Sequence, residues 1–358
     1  MHQEGLPFIL FNQQFLKVSL MIIGSIAVSM ALVPIGIWLA KKWDIIDYPN
    51  RTSHTIHSKP TPRSGGIAIY VCVWVMFLVF QLWNYPQIIR IILAGSVIFL
   101  FGIRDDQKGM EAVVKLFGQL IAVTILIGFK IRVQFLENPA FAGFIPEYLA
   151  IGLDYLITYG WMVGVTNAFN LIDSRDGLAI GISEIISAFF FFAAIVSNQV
   201  YLEYILAIIF GVSLGVGYFN KMPAKIFLGD SGSQLLGFLL AAIAIEYHPL
   251  DASQASTWFI PILIFGVPIF DTTLVSISRL RKGVPIYKAN LDHTFHRISA
   301  FGLKEDKAIA SIHLAAILSG LIGLVCMYFP PLIANVFFGL WVLIFIGLLF
   351  LFERNFDR

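Results

Sequence analysis

Two adjacent carboxylates, Asp105 and Asp106, stand where an apolar run gives way to charge. Carboxylates this close shift each other's titration, and they either bind a hard divalent cation or poise one member as a base. The same dipeptide also makes an ordinary solvated helix end. The stretch Phe227-Leu228-Gly229-Asp230-Ser231-Gly232-Ser233 sets glycines for a tight turn before an Asp, hydroxyls and free backbone amides at a helix start. That geometry suits phosphate or a metal-bound phosphate, although an N-cap followed by small packing residues reads the same way. In Asn170-Leu171-Ile172-Asp173-Ser174-Arg175-Asp176-Gly177, Asp173 and Asp176 share a face if the segment is helical. His293 and His296, next to Arg297, are too few to suggest zinc and suit an anion better. The segment from Asp47 to Gly66, stiffened by prolines and carrying Arg51, His54, His57, Lys59 and Arg63, could hold a phosphate, or could simply reflect positive charge on an inner loop.

The elements that position these groups are legible in the composition. Of 358 residues, 58% are hydrophobic and only 13% charged, with a mean hydropathy of +0.83, against about 25% charge in soluble domains. No water-soluble core can be built from such a chain, because too little polar surface remains to cover it. Soluble enzymes, secreted disulfide scaffolds and disordered tails are excluded. Cys72 and Cys326 lie inside apolar runs without metal-type spacing, and a net charge of +2 gives no reason to expect nucleic acid.

Crossing a bilayer takes about 20 apolar helical residues. The sequence predicts an all-α polytopic bundle of ten or eleven spans, near 18–40, 66–83, 88–103, 112–129, 149–166, 178–197, 201–219, 232–247, 256–278, 308–328 and 332–352. The third, fifth and last runs are short or Gly-interrupted, which suits tilted or re-entrant segments. Of the 24 Lys and Arg, only Lys17, Arg90, Lys130 and Arg132 fall in one set of loops. Apart from Lys115 at a helix start, the rest fall in the other set, so the N-terminus is expected outside and the C-terminus in the cytoplasm. The chain reads as a single membrane domain with its main cytoplasmic loops at 41–65, 104–111, 167–177, 220–231 and 279–307. Ionisable groups at a membrane are costly and mark function. Here all the groups named above sit at the cytoplasmic ends of spans; Asp271, in the ninth span, is the exception. One cytoplasm-facing active site follows.

Taken in this order, the motifs resemble the polyprenyl-phosphate N-acetylhexosamine-1-phosphate transferase superfamily, specifically its bacterial undecaprenyl-phosphate GlcNAc-1-phosphate transferase branch. The resemblance covers nearly the whole chain. It rests on Pro49 to Gly66, the Asp105-Asp106 pair with Lys115 and Gln119 downstream, Asn167 to Asp173, Asn220 to Gly237, and His293 to Arg297. It implies transfer of a sugar-1-phosphate, GlcNAc-1-phosphate first among donors, from a UDP-sugar to undecaprenyl phosphate, with release of UMP. This would be the first membrane step of an envelope polysaccharide such as O-antigen or teichoic acid, at the bacterial inner membrane. By resemblance, Asp230 with Asn170 would hold Mg²⁺, or Mn²⁺ in its place, and Asp105 and Asp106 would orient or deprotonate the acceptor phosphate. Lys115 would bind that phosphate. Asn167 would bind substrate, and Asp173, Asp176, Asn220 and Phe227 would line the uridine pocket, with Phe227 placed to stack on uracil; His293, His296 and Arg297 would hold the donor pyrophosphate or sugar. UDP-sugar, polyprenyl phosphate and membrane lipid are the implied partners, and a homodimer is left open. A lipid phosphate needs little deprotonation at neutral pH, which favours direct attack over a covalent aspartyl intermediate.

Two departures from the family pattern stand out. Where the family has Asp-Gly-apolar-Asp-Gly, this chain has Asp173-Ser174-Arg175-Asp176-Gly177, which puts a cation in the acidic loop. Thr294 and Phe295 thin the histidine motif. Rival readings are the same reaction on another UDP-N-acetylhexosamine or on UDP-MurNAc-pentapeptide, a cation-coupled transporter, and a catalytically silent scaffold. Transporters place coupling groups near the midplane on interrupted helices, and only Asp271 could lie that deep.

Overall fold

The computed structural model describes residues 5–49, 59–137, 144–249, 257–285 and 292–356, with side chains from residue 13 to 354. Arg51, His54 and His57 of the basic segment lie outside the described residues. Thirteen α-helices are described: α1 (Gly5–Lys42), α2 (Gly65–Val79), α3 (Pro86–Lys108), α4 (Ala112–Gly128), α5 (Glu147–Ile172), α6 (Leu178–Val196), α7 (Val200–Asn220), α8 (Gly229–Glu246), α9 (Ile260–Ile264), α10 (Gly266–Arg281), α11 (Thr294–Ala300), α12 (Glu305–Cys326) and α13 (Pro331–Phe356). Each predicted run falls on a helix, with α9 and α10 sharing the ninth. Seven helices are long and apolar enough to cross a membrane on their own, and α2 and α4 are shorter apolar helices. The protein is a multi-pass helical membrane protein.

The third, fifth and last runs are continuous helices of 23, 26 and 26 residues, so they are not the interrupted ones. The break falls in the ninth run instead, at Phe265 between α9 and α10. Its cause is local: Pro268 has no N–H to give the carbonyl four residues back, and its ring crowds that carbonyl. The first helix also begins earlier than predicted, at Gly5.

Helix α8 is the pillar of the bundle. Every residue from Ser231 to Ile245 is buried, and its small side chains let α2, α3 and α5 approach closely. A Cβ on Gly102 of α3 would lie 2.5 Å from the Ser231 Cα, and one on Gly66 of α2 would lie 2.5 Å from the Gly232 N. Only glycine allows these backbones to touch. Two short strands, β1 (Ile46–Asp47) and β2 (Thr61–Pro62), pair antiparallel with Ile46 opposite Pro62. The chain after β2 then runs along the approach to α8: Phe227 N donates to Pro62 O, Gly65 N to Phe227 O and Gly66 N to Leu228 O. The starts of α2 and α8 and the end of α3 are thereby locked into one rigid corner.

Candidate active site

That corner holds the carboxylates. Asp105 and Asp106 end α3, Lys115 sits on the first turn of α4, and Asp230 opens α8. Lys115 Nζ lies 2.7 Å from both Asp105 Oδ2 and Asp230 Oδ2, so two carboxylates from separate helices converge on one cationic group. Asp106 does something different. Its Oδ1 accepts from Asp230 N at 2.8 Å, while Oδ2 accepts from Ser231 N at 3.0 Å and from Ser231 Oγ at 2.6 Å. A side chain from α3 thus caps the free amides of α8, where the helix dipole favours negative charge. Gly229 makes this fit possible, with φ of +70° and an Asp106 oxygen 2.5 Å from where a Cβ would stand.

A chain of amides steadies the other side of Asp230. Gln234 Nε2 donates to Asp230 Oδ2 at 2.9 Å, Gln119 Nε2 donates to Gln234 Oε1 at 2.9 Å, and Asn167 Nδ2 donates to Gln119 Oε1 at 2.8 Å. Asn170 lies against Asp230 and donates to Ser233 Oγ at 3.2 Å. Oxygen ligands of this kind suit a hard divalent cation, which typically takes one or two carboxylates and completes its shell with water and substrate phosphate. Among the described residues no three His, Cys, Asp or Glu side chains form a group that could hold a metal ion.

The acidic loop begins one residue beyond α5. Asp173 is half-buried; burial, then the charges of Asp230, Asp106 and Asp176, push its pKa up to about 8, with Arg63 opposing. Asp176 Oδ2 accepts from Ala224 N at 2.8 Å. Asn220 is buried with both ends of its amide used, Oδ1 by Gly177 N and Nδ2 by Ile226 O. Phe227 is half-buried in the turn before α8. A cavity of about 590 Å³ lined by Phe135, Trp161, Tyr247 and Trp258 among others lies near the opposite end of α8, roughly 20 Å from Asp230 at 1.5 Å per residue, and takes no part in this centre.

The profile of glycosyl transferase family 4 matches residues 88–248. A Bacillus subtilis protein described as a probable undecaprenyl-phosphate N-acetylglucosaminyl 1-phosphate transferase is 31% identical over 85% of this chain and 84% of its own length. The chain belongs to glycosyl transferase family 4. The Escherichia coli undecaprenyl-phosphate alpha-N-acetylglucosaminyl 1-phosphate transferase is 27% identical over 81% of this chain and 78% of its own. A phospho-N-acetylmuramoyl-pentapeptide-transferase of Caldanaerobacter subterraneus is 30% identical over 72% and 82% respectively.

In this family 4 transferase the histidine segment is anchored from three sides, by contacts between residues far apart in the chain. Asp271 accepts from Thr294 N at 2.6 Å and lies 2.9 Å from His293 Nδ1, so it fixes the start of α11 and is not a free midplane carboxylate. Arg279 and Asp292 form a buried two-point pair, at 2.9 and 2.8 Å. Arg297, expected on the donor, is instead buried at 1% exposure. It donates to Glu353 Oε2 at 2.7 Å, to Phe352 O at 3.1 Å and to Asp292 O at 3.0 Å, tying α11 to the last turns of α13. His296 remains half-buried, its pKa pushed down to about 4 by burial and by His293 and Arg175, so its ring is neutral at pH 7. Removing one partner of a buried ion pair strands the other charge. Arg297→Gln is therefore expected to cost about 3 kcal/mol of stability, read as a lower Tm in detergent, while the donor KM of the folded fraction stays unchanged. A raised donor KM at unchanged Tm would restore Arg297 to the donor.

Proposed function

We propose that this transferase moves GlcNAc-1-phosphate from UDP-GlcNAc to undecaprenyl phosphate, on the cytoplasmic face of a bacterial inner membrane. The observation that carries the reading is the convergence of Asp105 and Asp230 on Lys115 at the amide-rich start of α8. Phosphoryl transfer asks a protein chiefly for positioning and for charge complementary to the transferred group, and this corner supplies both. An oxygen of the lipid phosphate attacks the sugar-bearing phosphorus, the bond to the bridging oxygen breaks, and UMP leaves with that oxygen and its electron pair. Lys115, held between two carboxylates, is the donor that can turn to the incoming lipid phosphate, and Asp105 sets its position. Asp106 keeps the α8 amides fixed; Gln234, Gln119 and Asn167 keep Asp230 aimed. Asp230 and Asn170 would hold Mg²⁺, which when bound supplies a Lewis acid that neutralises phosphate charge.

The names of the B. subtilis and E. coli relatives support GlcNAc as the sugar, and the C. subterraneus relative makes the muramoyl-pentapeptide donor the alternative to test. Purified protein given Mg²⁺, undecaprenyl phosphate and a panel of UDP-sugars is expected to form lipid-linked GlcNAc, identified by mass, at least about tenfold faster than any other product; one tenfold step corresponds to about 1.4 kcal/mol of transition-state discrimination. Preferred use of UDP-MurNAc-pentapeptide would overturn the donor and leave the reaction class standing.

A further inference from the structure

The buried polar atoms in this region without a hydrogen-bond partner among the described residues include Ser174 Oγ and Arg175 Nε in the acidic loop and His296 Nδ1 on α11, beside Thr294 Oγ1 and Ser299 Oγ of the same helix. Buried polar atoms are nearly always satisfied, so a group of orphans calls for a ligand. The Arg175 side chain is only 13% exposed, and its guanidinium lies 4.7 Å over the Phe295 ring. Its ion-pair partner Glu305, on the first turn of α12, is 3.8 Å away and half-exposed, beyond hydrogen-bonding reach. A guanidinium carries five N–H donors that it does not give up at any physiological pH. Holding the Nε donor in a buried place without a hydrogen bond is costly unless something else takes it.

The location narrows what that something is. The acidic loop bridges two parts of the site: Asp173 feels the charges of Asp106 and Asp230, whereas Arg175, two residues on, faces Phe295 and Glu305. A group resting on Arg175 is therefore one short loop away from the carboxylate corner. Apart from the half-exposed Glu305 carboxylate, the groups named there, a guanidinium, a hydroxyl and an imidazole in the right tautomer, can all donate, so the complement is an anion rich in oxygen. Arg297, the cation that the sequence places in this role, is committed to Glu353.

We propose that Arg175 is a donor-binding residue particular to this chain, gripping the diphosphate of the UDP-sugar from a pocket completed by Ser174 and His296, with Glu305 as its resting partner. The proposal rests on the donor class given under Proposed function. It is tested by calorimetric binding of UDP-GlcNAc, UDP and uridine to the full-length protein in nanodiscs. Arg175→Ile is expected to weaken UDP-GlcNAc and UDP by roughly ten- to hundredfold, the scale of a lost charge-assisted bond, and to leave uridine unchanged. Arg175→Lys should recover part of the loss, since it keeps the charge and loses the fork. Glu305→Gln should tighten UDP by about two- to threefold by releasing a weak, half-exposed pair. Arg175→Gln, which stays polar but loses the charge, reads the same loss should isoleucine disturb the loop. Equal weakening of uridine and UDP would reduce Arg175 to a tie between segments, and unchanged UDP binding would remove it from the site; either result overturns the proposal. A parent protein that binds uridine and UDP equally well would also overturn it, whereas one that binds neither would bring down the donor reading itself.

Discussion

Asp230→Asn is expected to lower turnover by at least about a hundredfold with the fold intact. The substitution keeps the volume and one acceptor oxygen, so Gln234 can still donate to it, and the start of α8 is held through its backbone by Asp106 rather than by the Asp230 side chain. What it removes is a full negative charge from the point where Asp105, Asp230 and Lys115 meet. Charge placed where a transition state needs it is worth about 3 kcal/mol per group, which is the hundredfold. The same assay run on the parent in EDTA should lose comparable activity and regain it on adding Mg²⁺. Full turnover in Asp230→Asn, or a parent indifferent to EDTA, would take the cation away from this corner.

The neighbouring pair of aspartates is expected to split. Asp106→Asn should lose both turnover, again by about a hundredfold, and roughly 2–3 kcal/mol of stability, because the amide can accept along one edge but presents an N–H₂ to donors along the other. Two backbone amides and a hydroxyl depend on those edges. Asp105→Asn should lose turnover alone, since its contacts are with Lys115 and Asp230, which lie in the reaction centre. Thermal unfolding beside a turnover assay separates the two; equal Tm losses in both variants would mean that Asp106 is not the clamp on α8.

How far this could be read from the residues depended on distance along the chain. The Asp105-Asp106 pair and the Gly229-Asp230 turn stood out because their letters are local and lie at the ends of apolar runs, whereas Lys115 was picked out only through the family resemblance. The break in the ninth span was also written locally, in Gly266 and Pro268, but a run of hydrophobic residues masked it. Arg297 was misplaced because its partner, Glu353, lies in the last span, 56 positions away, and nothing beside either residue announces the pairing. Asn167 and Asn220 were expected on substrate; they join networks through Gln119, Gln234 and Gly177 that only packing brings near. Arg175 was noticed as a departure from the family pattern. Its direction, toward α11 and away from Asp173 and Asp176, needed the fold.

The glycine contacts that bring α2 and α3 against α8 bear on how such an enzyme can diverge. Where backbones touch there is no room for a side chain, and any added methyl at Gly66 or Gly102 would strike main chain. The reaction centre is therefore frozen against gradual change. The loop at Ser174-Arg175 and α11, by contrast, are held by side-chain ties such as Arg175 over Phe295 and Arg297 to Glu353. Ties of that kind can be exchanged one substitution at a time. Substitutions on that loop and on α11 can thus be tried by a lineage without displacing the backbones of the corner.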